Sequence, residues 1–175
     1  MTERPEVMHA TNLANAIVDA IERADPKSLG VDDLYREVPA LSDAFETDDV
    51  KIILLTTACR CAEELVAPWL AAYPDDNAPV LALRAAQAWL IDPTQELAAH
   101  SATFMDAALM SFVRSKGAGR RSSWPAHSWF ARTCAWLADA PQYGWQSVAA
   151  LLGLIHAGLR DRVTAELASQ MGPTR

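Results

Sequence analysis

The sequence has no apolar run long enough to cross a membrane. Its longest, Val148 to Ile155, holds eight residues and stops at His156, whereas a spanning helix needs about 20. The N-terminus, Met1-Thr2-Glu3-Arg4-Pro5-Glu6, is charged and carries a proline, so it does not read as a signal peptide. Cysteine is scarce and odd in number. Cys59, Cys61 and Cys134 exclude a fully paired disulfide scaffold and suit a reducing interior, so a cytoplasmic protein is expected. Strand-like alternation is absent throughout. Recognisable chemistry is absent too: there is no metal-ligand cluster, no nucleophile with a matched base and no phosphate loop. No cofactor and no metal are expected.

What is present is a chain of 175 residues, half of them apolar and about a fifth charged. That profile belongs to a globular protein able to bury a core, and one domain spanning residues 1–175 is expected. Charge is divided unevenly. Residues 1–80 carry a balance of −10 and residues 81–175 a balance of +3. An acidic half is a poor surface for nucleic acid, whose phosphates need Lys and Arg. It suits a basic partner, and it equally suits a solvated face kept for solubility.

Four-residue periodicity predicts an all-α bundle of six to eight helices. Leu13, Ile17 and Ile21 mark a first helix from about Glu6 to Ala24, ended by Asp25-Pro26. A short piece follows around Leu34 and Tyr35. Thr47-Asp48-Asp49 offers capping chemistry for a long helix through Ile53, Thr57, Cys61 and Leu65 to Trp69 or Tyr73. Asn77 is read as the cap of the next helix, with Pro79 in its first turn and Leu81, Ala85, Ala88 and Trp89 facing inward. Further helices are expected at about Pro93–Val113, after Trp124-Pro125, and from Gln142 to Gln170. The small, basic stretch 115–123 reads as a flexible loop. Leu54, Ile53, Leu65, Leu81, Trp89, Phe104, Leu151 and Ile155 are the expected core, and the helical hairpin Val50–Trp89 its centre.

That hairpin carries a resemblance. Cys61-Ala62-Glu63, an apolar stretch, Pro74-Asp75-Asp76, a second proline at Pro79 and an alanine-rich helix closing at Ala88-Trp89 follow one another in order. The order resembles a group of all-helical bacterial immunity proteins encoded beside polymorphic toxins. The match covers roughly residues 55–90, and the chain departs from it in carrying Val80 where an arginine is usual. The resemblance implies neutralisation of a toxin by direct binding.

Candidate residues fall into three groups. The acids Asp48, Asp49, Asp75 and Asp76, with Asn77, are candidates for contact with a basic protein such as a toxin domain. Arg120 and Arg121 on the flexible loop are candidates for holding an acidic patch or a phosphate. Capping alone also explains the acids, and a simple connector the loop. Trp124, Trp129, Trp136 and Trp145 crowd the last third of the chain, where they form core, interface or the lining of a ligand pocket. Glu96 and His100, one helical turn apart, together with Asp106 are the weak alternative for catalysis. A surface helix pair accounts for the first two as well. Cys59 and Cys61, two residues apart, point about 200° from each other on a helix and read as structural thiols. Three classes stay open: a protein-binding module, a small-molecule-binding helical protein with a Trp-lined pocket, and an enzyme.

Overall fold

The computed structural model describes residues 5–23, 30–118, 120–143 and 145–172, with the side chains of 5–8, 122 and 145 outside the description. The expected helix stop at Asp25-Pro26, Gly119 of the basic loop and the Trp145 side chain therefore lie outside the described residues. The protein is all-α, with no strand among the described residues. Its helices are α1 (Pro5–Arg23), α2 (Val31–Glu37), α3 (Ala40–Ala44), α4 (Thr47–Ala62), α5 (Val66–Ala72), α6 (Ala78–Ile91), α7 (Gln95–Ala102), α8 (Met105–Ser115), α9 (Ala126–Asp139), α10 (Trp145–Leu154) and α11 (Arg160–Met171). Three neighbouring pairs, α4–α5, α7–α8 and α10–α11, are rods broken once. Eleven segments less three breaks leave eight rods, a multi-helix bundle. None of the described helices is long and apolar enough to cross a membrane.

Each break has a local cause. A 3-10 turn at Glu63–Leu65 separates α4 from α5. Pro68 follows it, with no N–H to give to Glu64 and a ring that crowds that carbonyl, so the chain tightens there. Between α7 and α8 the Thr103 hydroxyl donates to the His100 carbonyl at 2.6 Å. The Thr103 and Phe104 amides reach back three residues instead of four, a local competition typical of threonine. Between α10 and α11 a π-helical turn at Ile155–Leu159 contains Gly158 at φ +92°, a conformation open mainly to glycine.

Helix α9 is the most enclosed element. From Ser128 to Asp139 every residue is buried except Arg132 and Trp136, because α4, α6, α8 and α10 all pack on it. The expected hairpin is formed, with α4–α5 and α6 as its arms, and both arms rest on α9. Alanine makes this crowding possible: Ala82, Ala85 and Ala86 on α6 and Ala149 and Ala150 on α10 are all buried. Gly153 goes further. A Cβ added there would collide with the Thr133 hydroxyl and lie 3.3 Å from the Trp136 ring. At the other end α1 buries Leu13, Ile17 and Ile21, as their spacing predicts, and packs on α11. Helix α11 is tied to α4 by Glu166, which accepts from Arg60 at 2.7 Å and from Arg162 at 2.9 Å.

Core expectations hold in part. Leu54, Leu65 and Leu151 are buried, and Ile53, Trp89, Phe104 and Ile155 pack half-buried against the core. Leu81 does not belong there: it is 43% exposed, and Leu83 is buried in its stead. Helix α6 lies against α9 on one side and α7–α8 on another, which turns its buried face toward Ala82, Leu83 and Ala86. The capping expectation for α4 also fails, since the N-cap is Glu46 and no side chain bonds the first turn.

The hairpin's anchor is Trp69, not Trp89. Trp69 is fully buried, its indole N–H donates to the Asp76 carbonyl at 2.6 Å, and its ring packs on Tyr73 and Phe130. Trp69→Ala is expected to cost about 3–5 kcal/mol in urea melts, while Trp89→Ala costs about 1–2 kcal/mol. Equal losses would show that both rings anchor the hairpin. Gly153→Ala should cost about 1–3 kcal/mol by overpacking. Thr133→Ala in the same chain should restore most of that loss, because it removes the colliding hydroxyl, and a purely additive double mutant would refute the contact.

Candidate functional site

The acidic turn after α5 is built inward. Asp75 is exposed, but Asp76 has a side chain only 20% exposed and is fully engaged. Its Oδ1 accepts from the Ser111 hydroxyl at 2.9 Å and from the Ala78 amide at 3.3 Å. Its Oδ2 accepts from Arg114 at 2.7 Å. Burial raises the Asp76 pKa, but the bonds from Arg114, Ser111 and Ala78 outweigh it and hold the carboxyl below its ordinary 3.8. Asp76 therefore does not project toward a partner; it welds the hairpin turn to α8. Asn77 is exposed and makes no side-chain cap, so the carboxylate that serves the first turn of α6 is that of Asp76.

Asp48 and Asp49 are exposed in the first turn of α4. Among the described residues Asp48 pairs only with Lys51, one turn away at 3.1 Å. These two acids and the Asp75–Asn77 turn sit at opposite ends of the α4–α5 rod, so the fold does not gather the five residues into one surface. Glu96, His100 and Asp106 are likewise exposed and joined by no hydrogen bond among the described residues. His100 packs edge-on against Phe104 at 5.2 Å instead. Among the described residues no group of three His, Cys, Asp or Glu is placed to hold a metal. The three thiols are free and buried. Burial pushes Cys59 and Cys134 far up and Cys61 up to about 12, which leaves all three protonated and unreactive at neutral pH.

The tryptophans and the basic loop meet in one place. Trp129, buried beneath the loop, lies 5.1 Å from Trp124 and stacks on His156 at 4.6 Å. Trp124 meets Phe112 edge-on at 4.8 Å. Cations cover these rings: Lys116 over Trp124 at 5.6 Å, Arg121 over Trp129 at 5.2 Å, and Arg132 over both Phe112 at 5.4 Å and Trp136 at 4.5 Å. The result is an aromatic spine, Phe112–Trp124–Trp129–His156, topped by positive charge. An open groove of about 500 Å3 lies elsewhere, between Trp89, Pro93, Pro141 and Gln142.

Sequence reasoning named Trp124, Trp129 and Trp136 as one group and Arg121 apart from them, and the fold brings the two together. It missed Arg132, Lys116 and His156. Only Arg132 had a visible signal, its position one helical turn before Trp136 on the same face. Burial and then the charge of Arg121 depress the pKa of both Arg132 and His156, so His156 is uncharged at neutral pH.

The two acids of the turn are separable by experiment. Asp76→Ala should cost about 2–3 kcal/mol, having removed the carboxylate shared by Arg114, Ser111 and the Ala78 amide, and Asp75→Ala no more than about 0.5 kcal/mol. The sign with pH follows from the depressed pKa. The contribution of Asp76 is complete above the unfolded value near 3.8 and fades as pH falls through the lower folded value. Thermal melts of wild type and Asp76→Asn should thus differ by a constant margin above pH about 5 and converge in stronger acid. A margin that is unchanged in acid would refute the ionised brace.

No family model matches the chain, and no curated protein or solved structure matches it either.

Proposed function

We propose that this chain is a non-catalytic protein-binding module that neutralises a partner by direct contact, as the immunity proteins it resembles do. The partner in this reading is a basic toxin domain, and the contact is the acidic corner where α2, α3 and α4 follow one another. One observation carries it. Glu37, Asp43, Glu46, Asp48 and Asp49 are all exposed, and of these only Asp48 has an ion-pair partner among the described residues. The field there is negative and available, which speeds encounter with a basic surface. The three free, buried thiols support a reducing, cytoplasmic setting.

The test uses the purified product of the gene beside this chain's own. Asp43→Asn, Glu46→Gln and Asp49→Asn combined should slow association about tenfold and flatten its salt dependence. The melting curve should stay within about 0.5 kcal/mol of wild type, since the three side chains are exposed and unpaired. Unchanged association kinetics would remove the acidic corner from the interface. No binding to the neighbouring product, and no rescue of growth when the two are co-expressed, would remove the immunity reading altogether.

A further inference from the structure

We infer that the aromatic–cationic surface between the end of α8 and the π turn is a binding site for a multiply charged phosphate group. The ground is which cations the fold leaves without a carboxylate. Arg36, Lys51, Arg60, Arg84, Arg114, Arg160 and Arg162 each pair with an acid. Among the described residues, those without one are Arg23, the exposed Arg120, and three that converge on the spine, Lys116, Arg121 and Arg132. In a chain of net charge −7 this concentration is not a shortage of acids. Asp106, on α8 itself, is exposed and is not drawn in.

The geometry favours an oxyanion over simple solvation. A guanidinium lying on an aromatic face is fixed in orientation, and its edge donors stay free for a planar or tetrahedral acceptor. Arg121 rests on Trp129 in this way and Arg132 on Trp136. Arg132 is also only half-exposed, so its charge is partly desolvated with no anion to offset it. The charge of Arg121 adds repulsion, which an anion set between the two would convert to attraction. A lone carboxylate would neutralise one of the three cations on the rings, whereas a phosphate monoester brings about −1.5 to −2 and three acceptor oxygens. A long nucleic acid is disfavoured by the acidic remainder of the chain.

The probe is inorganic pyrophosphate, titrated calorimetrically into the full chain at low ionic strength. Saturable binding of one equivalent is expected, weakened at least about tenfold by Arg121→Gln and by Arg132→Gln, the loss of a charge-assisted contact. Arg132 packs on two rings, so its variant also tests the fold. Arg121 is exposed, and its variant should keep the wild-type melting curve while losing affinity. Arg23→Gln, an unpaired cation away from the spine, should leave affinity unchanged. The site is overturned by the absence of saturable binding up to about 10 mM, a Kd weaker than which is no more than loose ion pairing. It is equally overturned by the same loss in Arg23→Gln, or by tighter binding of hexaglutamate or a short single-stranded oligonucleotide. All of these readouts are independent of the acidic corner, so either proposal can fail alone.

Discussion

Helix α9 is closed to solvent along almost its whole length, and the rest of the bundle is arranged to keep it so. A helix satisfies its own backbone hydrogen bonds, which lets it be buried on all sides provided its side chains are apolar or small. Ala131, Cys134, Ala135, Leu137 and Ala138 meet that condition. The neighbours must then approach closely, which explains the alanines of α6 and α10 and the glycine at 153. From Ser128 to Asp139 the open stripe of α9 is Arg132 and Trp136, one turn apart and stacked on each other. The enclosure of α9 thus decides where the aromatic–cationic surface can be. It also places the buried hydroxyls of Ser128 and Thr133, which have no hydrogen-bond partner among the described residues and are tolerated as small groups in a tight contact.

The rods were legible because burial on one face imprints a period on the sequence. Leu13, Ile17 and Ile21 carry it on α1, and the proline and aspartate turn between α5 and α6 punctuates the hairpin. The breaks were not legible, since each depends on a competition that leaves the period intact. Pro68 tightens the turn before it, Thr103 redirects one carbonyl, and Gly158 adopts a left-handed dihedral. The inner face of α6 was misread for a related reason. Leu81 and Leu83, two residues apart, point about 200° from each other, and in so apolar a helix the sequence offers a phase through either; packing on α9 and α7–α8 selects the one that buries Ala82, Leu83 and Ala86.

Site residues were harder to read because their roles are tertiary. Asp76 has the sequence context of a surface turn acid, and nothing local announces that Arg114, 38 residues on, will meet it. Trp69 looks like the frayed end of a helix until the turn folds back and gives its indole a carbonyl. By contrast Arg120, Arg121 and the tryptophans were visible as a composition. What the sequence could not supply was that the loop lies over the rings, so that a basic segment and an aromatic segment become one surface.

The charge asymmetry of the chain takes on a different meaning in three dimensions. Read linearly, an acidic first half and a mildly basic second half suggest two faces. In the fold much of that asymmetry is consumed internally: Arg84 pairs with Glu63, Arg114 with Asp76, Arg160 with Asp19 and Glu22, and Arg162 with Glu64. These pairs run from the second half to the first and stitch α6, α8 and α11 to α1, the 3-10 turn and the α5–α6 turn. Most are well exposed, so each contributes little stability on its own, typically below about 1 kcal/mol. Their larger effect is by subtraction. Among the described residues they leave scattered single charges and two longer groupings with few partners, the acids from Glu37 to Asp49 and the cations from Lys116 to Arg132. Uncancelled charge is what a partner or a ligand meets at a distance, because paired charges present only a weak, short-ranged field. The two regions that carry the functional proposals are therefore the residue of the same pairing that helps hold the helices together.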